Sequence, residues 1–209
     1  MIAAWKESLG LNKWFYLTAV ACVCVLTKIT KTNTLLGVIT FVYVSFIGYV
    51  GHILVHHIKL TDYYAKMDNV FTRGWFGRQC KRICALTDFH ETTHHDPTIN
   101  RQTKNLLIEM VMNFLTQGGI LMIFVYLCRR LSMYVVFLWA LAYCTVHIIN
   151  YEHLRPVAHA RHHLDSHTNY GIDIWDILCG TKYPGDGLEN INHYAINLIL
   201  ITAAIYVFV

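Results

Sequence analysis

Charge is scarce in this chain: Asp, Glu, Lys and Arg together make up 14% of 209 residues. Soluble domains use about 25%, and here the shortfall accompanies 55% hydrophobic residues in runs longer than a soluble core of this length needs. Proline is sparse too, with three residues, and no Gly/Ser linker, low-complexity tract or fixed-period repeat divides the chain, so a single domain over 1–209 is expected. The seven cysteines (Cys22, Cys24, Cys80, Cys84, Cys128, Cys144, Cys179) are odd in number and lack paired spacing, which argues against a disulfide scaffold. Cys80-x3-Cys84 alone is a weak zinc signal, so the thiols read as small apolar filler. A serine triad, a phosphate-binding glycine loop and a dinucleotide fingerprint are all missing. So is the basic, aromatic-interleaved stripe that nucleic acid would require.

What the chain does have is apolar length. A bilayer core needs about 20 apolar residues per helical span, and 14–29, 35–58, 106–127 and 131–149 reach or approach that. A fifth stretch, 194–209, is shorter and reads either as a tilted span or as an interfacial helix. Lys13 before the first run resembles a signal peptide, but no small-residue cleavage site follows, so an uncleaved span is expected, with 1–13 as an amphipathic lead-in on the membrane surface. The fold class expected is an all-α integral membrane bundle of four spans, with 194–209 as a candidate fifth.

Lysine and arginine set the orientation. Segment 59–105 carries eight of them, 150–193 three and the N-terminus two, whereas the two opposite loops hold Lys28 with Lys31 and Arg129 with Arg130. The positive-inside bias then places the N-terminus and both long polar segments in the cytoplasm. The net charge of +4 reads as topology and contact with anionic headgroups.

On that topology all thirteen histidines fall at or beyond one membrane face. His52 and His56 are four apart; His90 and His94 are four apart with His95 adjoining; His159 precedes His162 and His163 by three and four. Residues three or four apart share a helix face, so each group can aim its imidazoles at one point. Imidazole is a general ligand for zinc, copper, iron and nickel, and one zinc needs only three or four protein ligands. Eight histidines in three groups therefore suggest two metals. Asp88, Glu91, Asp96, Glu152 and Asp165 are candidate acceptors for the second ring nitrogen of each ligand. In the third span Asn105, Glu109, Asn113 and Gln117 recur every four residues. An intramembrane carboxylate is costly against lipid, so this stripe should face the bundle, either for helix–helix hydrogen bonding or for a polar substrate group.

The groups H-x3-H, H-x3-HH and H-x2-HH, in this order at the ends of hydrophobic spans, resemble the histidine boxes of the membrane-bound non-haem di-iron oxygenases. The tail NYGIDIWDILCGT, 169–181, resembles the segment after the last box in the fatty acid hydroxylase and sterol desaturase superfamily. The resemblance covers about residues 45–182. It implies that His52, His56, His90, His94, His95, His159, His162 and His163 hold two irons. His147 is followed four positions on by Tyr151, so an H-x3-H box there is incomplete. Asn150-Tyr151-Glu152-His153 resembles the N-Y-x-E-H element of bacterial alkane monooxygenases, which leaves the ninth ligand open between His153 and His147. His57, His167 and His193 match no ligand position.

The resemblance further implies O2-dependent hydroxylation or desaturation of a lipid such as a fatty acyl chain, sterol or related hydrocarbon. The NYG and WD tail leans toward the hydroxylases. Electrons would come from an external donor, a b-type cytochrome or a ferredoxin with its reductase. Segment 66–82 reads as topological charge, with donor docking as its alternative. In a eukaryotic setting the membrane would be that of the endoplasmic reticulum. A non-catalytic scaffold and a metal-binding or transport protein are the competing readings; three complete boxes and the one-sided placement of the histidines favour the enzyme.

Overall fold

The structure is a computed structural model describing residues 2–66, 73–96, 98–128 and 130–209. It is all-helical, with 77% helix and no strand among the described residues. Among the described residues three helical segments are long and apolar enough to cross a membrane: Thr34–His57, Thr103–Ile123 and Met133–Leu154. A fourth is reached if α1 (Ile2–Leu11) and α2 (Lys13–Ile29), bent by 70°, form one span.

The bend at Asn12 is held by bonds to the far end of the chain. The Asn12 side chain donates to Glu189 O (2.9 Å) and accepts from Ile191 N (2.8 Å), and Phe15 N donates to Asn192 Oδ1 (3.0 Å). These bonds tie the start of α2 to the segment before the last helix, Tyr194–Phe208. That helix has 15 residues, about 22 Å at 1.5 Å per residue, short of a full bilayer core. It nevertheless packs along α2 and along α8 (Met133–Thr145), with Tyr194 against Phe15 and Trp139.

α3 (Thr34–His57) begins where Asn33 Oδ1 accepts Leu36 N at 3.0 Å, an ordinary N-cap. Its buried side runs through Gly37, Thr40, Val44 and Gly48 to His52 and His56. The inward stripe of a membrane-length helix thus delivers two imidazoles at its C-terminal end. The outward side exposes Leu35, Ile39 and Val42, as α6 (Thr103–Phe114) exposes Leu107 and Val111.

The expected span 106–127 is interrupted. A π-helical turn, Leu115–Gly119, separates α6 from α7 (Ile120–Cys128), and Gly118 sits inside it at φ 150°. The expected span 131–149 runs longer: α8 passes through a π-helical turn, Val146–Asn150, into α9 (Tyr151–Leu154). The short helices α4 (Leu60–Ala65), α5 (Trp75–Thr87), α10 (Val157–Leu164) and α11 (Asp173–Cys179), with the π-helical turn His90–His94, complete the chain before α12 (Tyr194–Phe208). Of segment 66–82, residues 67–72 lie outside the described residues.

Candidate metal centre

Three elements carry the histidines to one place. α3 supplies His52 and His56, the π-helical turn His90–His94 and its next residue supply His90, His94 and His95, and α10 supplies His159, His162 and His163. His147 joins them from the turn ending α8. Ligand atoms within 4.8 Å of one another define a first group, His52, His56, His90 and His162, all buried, and a second, His94, His159 and His163. His94 also converges with Glu109 and His147, and His95 with His56 and Glu91. Of the two candidates for a ninth histidine, His147 is buried with Nε2 3.1 Å from His94 Nε2, while His153 is exposed and outside every such group among the described residues. His57 is exposed, with its Nδ1 2.9 Å from Ile53 O, and His193 bonds to Asn150. His167 meets the His57 ring edge-on.

The outer ring nitrogens are held by partners of specific chemistry. His56 Nδ1 lies 2.6 Å from Glu91 Oε2, His162 Nδ1 2.7 Å from Thr168 O, and His52 Nδ1 contacts Tyr170 O. Each acceptor requires the proton on Nδ1, which leaves Nε2 as a bare lone pair. The remaining carboxylates named from sequence do other work. Asp88 accepts Leu60 N (3.0 Å) and Thr61 N (2.7 Å) and so caps α4, Asp96 binds Thr98, Glu152 pairs with Arg101, and Asp165 accepts His167 N.

The tail after the last group orients the imidazoles. Asp176 accepts Tyr170 N (2.9 Å), Gly171 N (3.0 Å) and Thr181 Oγ1 (2.7 Å), which fixes the carbonyl of Tyr170 against His52. Asn169, at φ 53°, donates to Ala158 O (3.2 Å) and accepts Tyr183 N (3.0 Å). Tyr49 Oη bonds Thr181 Oγ1 at 2.8 Å and Trp175 Nε1 donates to Ser45 Oγ at 3.2 Å, so the tail docks on α3 beside its histidines.

His56 and His162 give the sharpest test of whether a cation belongs here. Both rings carry their proton on Nδ1 by the partners above, yet their Nε2 atoms face each other at 3.1 Å. Two lone pairs that close repel unless a cation lies between or beside them. Other Nε2 pairs lie 2.9–3.1 Å apart: His52 with His90 (2.9 Å), His94 with His147 (3.1 Å) and His159 with His163 (3.1 Å). Two nitrogens bound at about 2.1 Å to one metal are about 3.0 Å apart at 90° and about 3.4 Å at the tetrahedral angle. His95 Nε2 is buried without a hydrogen-bond partner among the described residues, a further nitrogen open to coordination. These donors fit a bound metal.

Electrostatics favour the same use. Burial foremost holds the pKa of His90, His94, His95 and His159 below the usual 6.5 and that of His162 and His163 at about 3, with neighbouring imidazoles adding to the effect. At pH 7 these six rings are neutral and their lone pairs free for coordination.

Sequence spacing left Glu109 as one member of a polar stripe; its position is more specific. Oε1 lies 3.0 Å from His147 Nε2 and 2.8 Å from His94 Nδ1, the latter close without the alignment of a full hydrogen bond. Asn113 Nδ2 donates to Oε1 at 3.4 Å, and Gln117 Nε2 donates to Gly48 O at 3.1 Å, so the stripe joins α6 to α3. The carbonyls of Thr168 and Tyr170 carry no side-chain signal that spacing could have found. No protein family, curated protein or solved structure matches the chain.

Proposed function

We propose that this chain is an integral membrane oxygenase that hydroxylates, or alternatively desaturates, a lipid with O2 at a histidine-held pair of irons. The observation carrying it is the facing Nε2 pair of His56 and His162, two imidazoles whose outer nitrogens are both committed as donors. Nitrogen spacings near 3.0 Å are those of imidazoles that could share a metal ion, and the choice of iron rests on the resemblance of the histidine groups to those of the di-iron oxygenases. His52, His56, His90 and His162 would hold one metal and His94, His147, His159 and His163 the other, with His95 between the groups and Glu109 and Glu91 supplying a carboxylate beside each.

Bound iron supplies O2 activation and removal of hydrogen from an unactivated C–H bond. The chain's part is to hold every ligand ring neutral and oriented. Glu91, Thr168 O and Tyr170 O lock three rings through Nδ1. Asp176 keeps the tail carbonyls in register, and burial of the first group excludes water. Hydroxylation is placed ahead of desaturation because the tail 169–181 resembles the hydroxylases. Electrons come from an external donor such as a b-type cytochrome or a ferredoxin with its reductase. The lysine and arginine distribution supports a cytoplasmic histidine face, in the endoplasmic reticulum if the source is eukaryotic.

The test is the elemental content of gently solubilised protein beside the His162→Ala, His163→Ala double variant. About two irons per chain, lost in the variant, is the expected result for two sites that share these rings. No specific metal in carefully handled protein would sink the oxygenase and leave a scaffold.

A further inference from the structure

The two groups differ in access. A cavity of about 260 Å³ opens onto the second, floored by His94, His147, His159 and His163. Beside His52 and His90 of the first group there is only a crevice of about 10 Å³. A metal site acting on an external ligand keeps a position open, and a structural one is closed. The reachable group is therefore the second.

The charged lining of that cavity is two arginines, Arg101 and Arg155, and two carboxylates, Glu109 beside the histidines and Glu152. Arg101 at the rim pairs with Glu152 at 3.4 Å. Arg155 makes no hydrogen bond or ion pair through its guanidinium among the described residues. Its backbone is fixed: φ is 48°, its N–H donates to Tyr151 O at 3.0 Å, and Pro156 follows at φ −61°. A left-handed conformation is unfavourable for a non-glycine residue and persists only where the surroundings impose it. Leu107, Ile149, Leu154 and Val157, each next in sequence to a residue that lines the cavity, are exposed. A molecule satisfying both Arg155 and these apolar side chains has an anionic head and a hydrocarbon tail. At about 30 Å³ per water-sized group the cavity takes about nine such groups, room for a head and its first carbons but not for an acyl chain.

We propose that this cavity binds the anionic head group, carboxylate or phosphate, of a single-chain lipid, with Arg155 as its counter-ion and the chain lying along the exposed apolar flank. The carbons nearest the second group are then those next to the head. That last consequence rests on the oxygenase reading, whereas head-group binding does not.

Binding of radiolabelled palmitate, hexadecyl phosphate and hexadecanol to the detergent-solubilised full-length protein tests it, with metal content measured on the same samples. Wild-type protein is expected to prefer the anions to the alcohol. Arg155→Gln should weaken both anions about tenfold, the scale of one charge-assisted hydrogen bond, leave hexadecanol and metal content unchanged, and be largely rescued by Arg155→Lys. Whichever anion binds more tightly identifies the head group. Anion binding unaltered in Arg155→Gln, or hexadecanol binding as tightly as palmitate in the wild type, overturns the proposal. Absence of metal from the wild type would count against the oxygenase alone, because the binding comparison still stands.

Discussion

Glu189 shows how one residue outside the histidine groups shapes the chemistry of the fold. Its side chain is buried, Oε1 has no hydrogen-bond partner, and its backbone N–H donates to Asp173 Oδ2 at 2.6 Å. Lys182 is committed to the other oxygen of Asp173, at 2.5 Å. Burial first, and the Asp173 charge next, push the Glu189 carboxyl up to about 8 from the usual 4.5. The folded protein then holds a proton that the unfolded chain gives up between those values. The stability from Glu189 is complete below pH 4.5 and lost as pH rises through 8. The depressed imidazoles His162 and His163 act in the opposite sense: their contribution is complete above pH 6.5 and lost as pH falls toward 3. In metal-stripped protein the thermal midpoint should therefore fall toward acid pH as the imidazoles charge and fall from pH 6.5 to 8 as Glu189 ionises, and Glu189→Gln should remove the Glu189 decline, which runs from pH 4.5 to 8, while leaving the imidazole loss in place. An alkaline limb of the same slope in that variant would show that Glu189 is not its origin.

At the scale of elements, three π-helical turns stand out: His90–His94, Leu115–Gly119 and Val146–Asn150. Such turns insert a residue into a helix and re-aim the side chains around it, and they recur at functional sites. The first stacks the rings of His90 and His94 at 4.8 Å, and the third carries His147 inward beside Tyr143. In the second, Gly118 lets the chain turn at φ 150° between Val136 and Val44, either of which a Cβ would approach to 3.1 Å. Gly118→Ala combines a forbidden backbone region with overpacking, so a loss of about 2–4 kcal/mol is expected. Thermal unfolding of the purified variant measures it, and a midpoint equal to the parent's would mean that α6 and α7 tolerate a straighter join.

At the scale of the molecule, the first and last helices close the bundle on each other. Asn12 and Phe15 are bonded to residues 189–192 across the whole length of the chain, and Phe15, Trp139 and Tyr194 form one aromatic core. The exposed apolar sides of α3, α6 and α12 then face outward together. On the proposed orientation, with the histidine face in the cytoplasm, Arg101 and Lys104, both exposed, should be cut by trypsin in vesicles whose cytoplasmic face is outward and protected in vesicles of the opposite orientation. Mass analysis of the fragments reads the result, and cleavage in the opposite orientation only would reverse the assigned topology.

The sequence by itself determined what depends on local periodicity. Long apolar runs dictated helices of spanning length, and spacings of three and four placed His52 with His56 and His159 with His162 and His163 on shared faces. Only the tertiary structure buried His147 beside His94 while leaving His153 exposed, turned Glu109 from a stripe toward His94 and His147, and set backbone carbonyls behind His52 and His162. It alone opened one group to a cavity while burying the other. The reason is distance along the chain: His56 meets His162 across 106 positions, and a helical period of 3.6 residues carries no information about which distant faces will converge or which nitrogen each ring will offer.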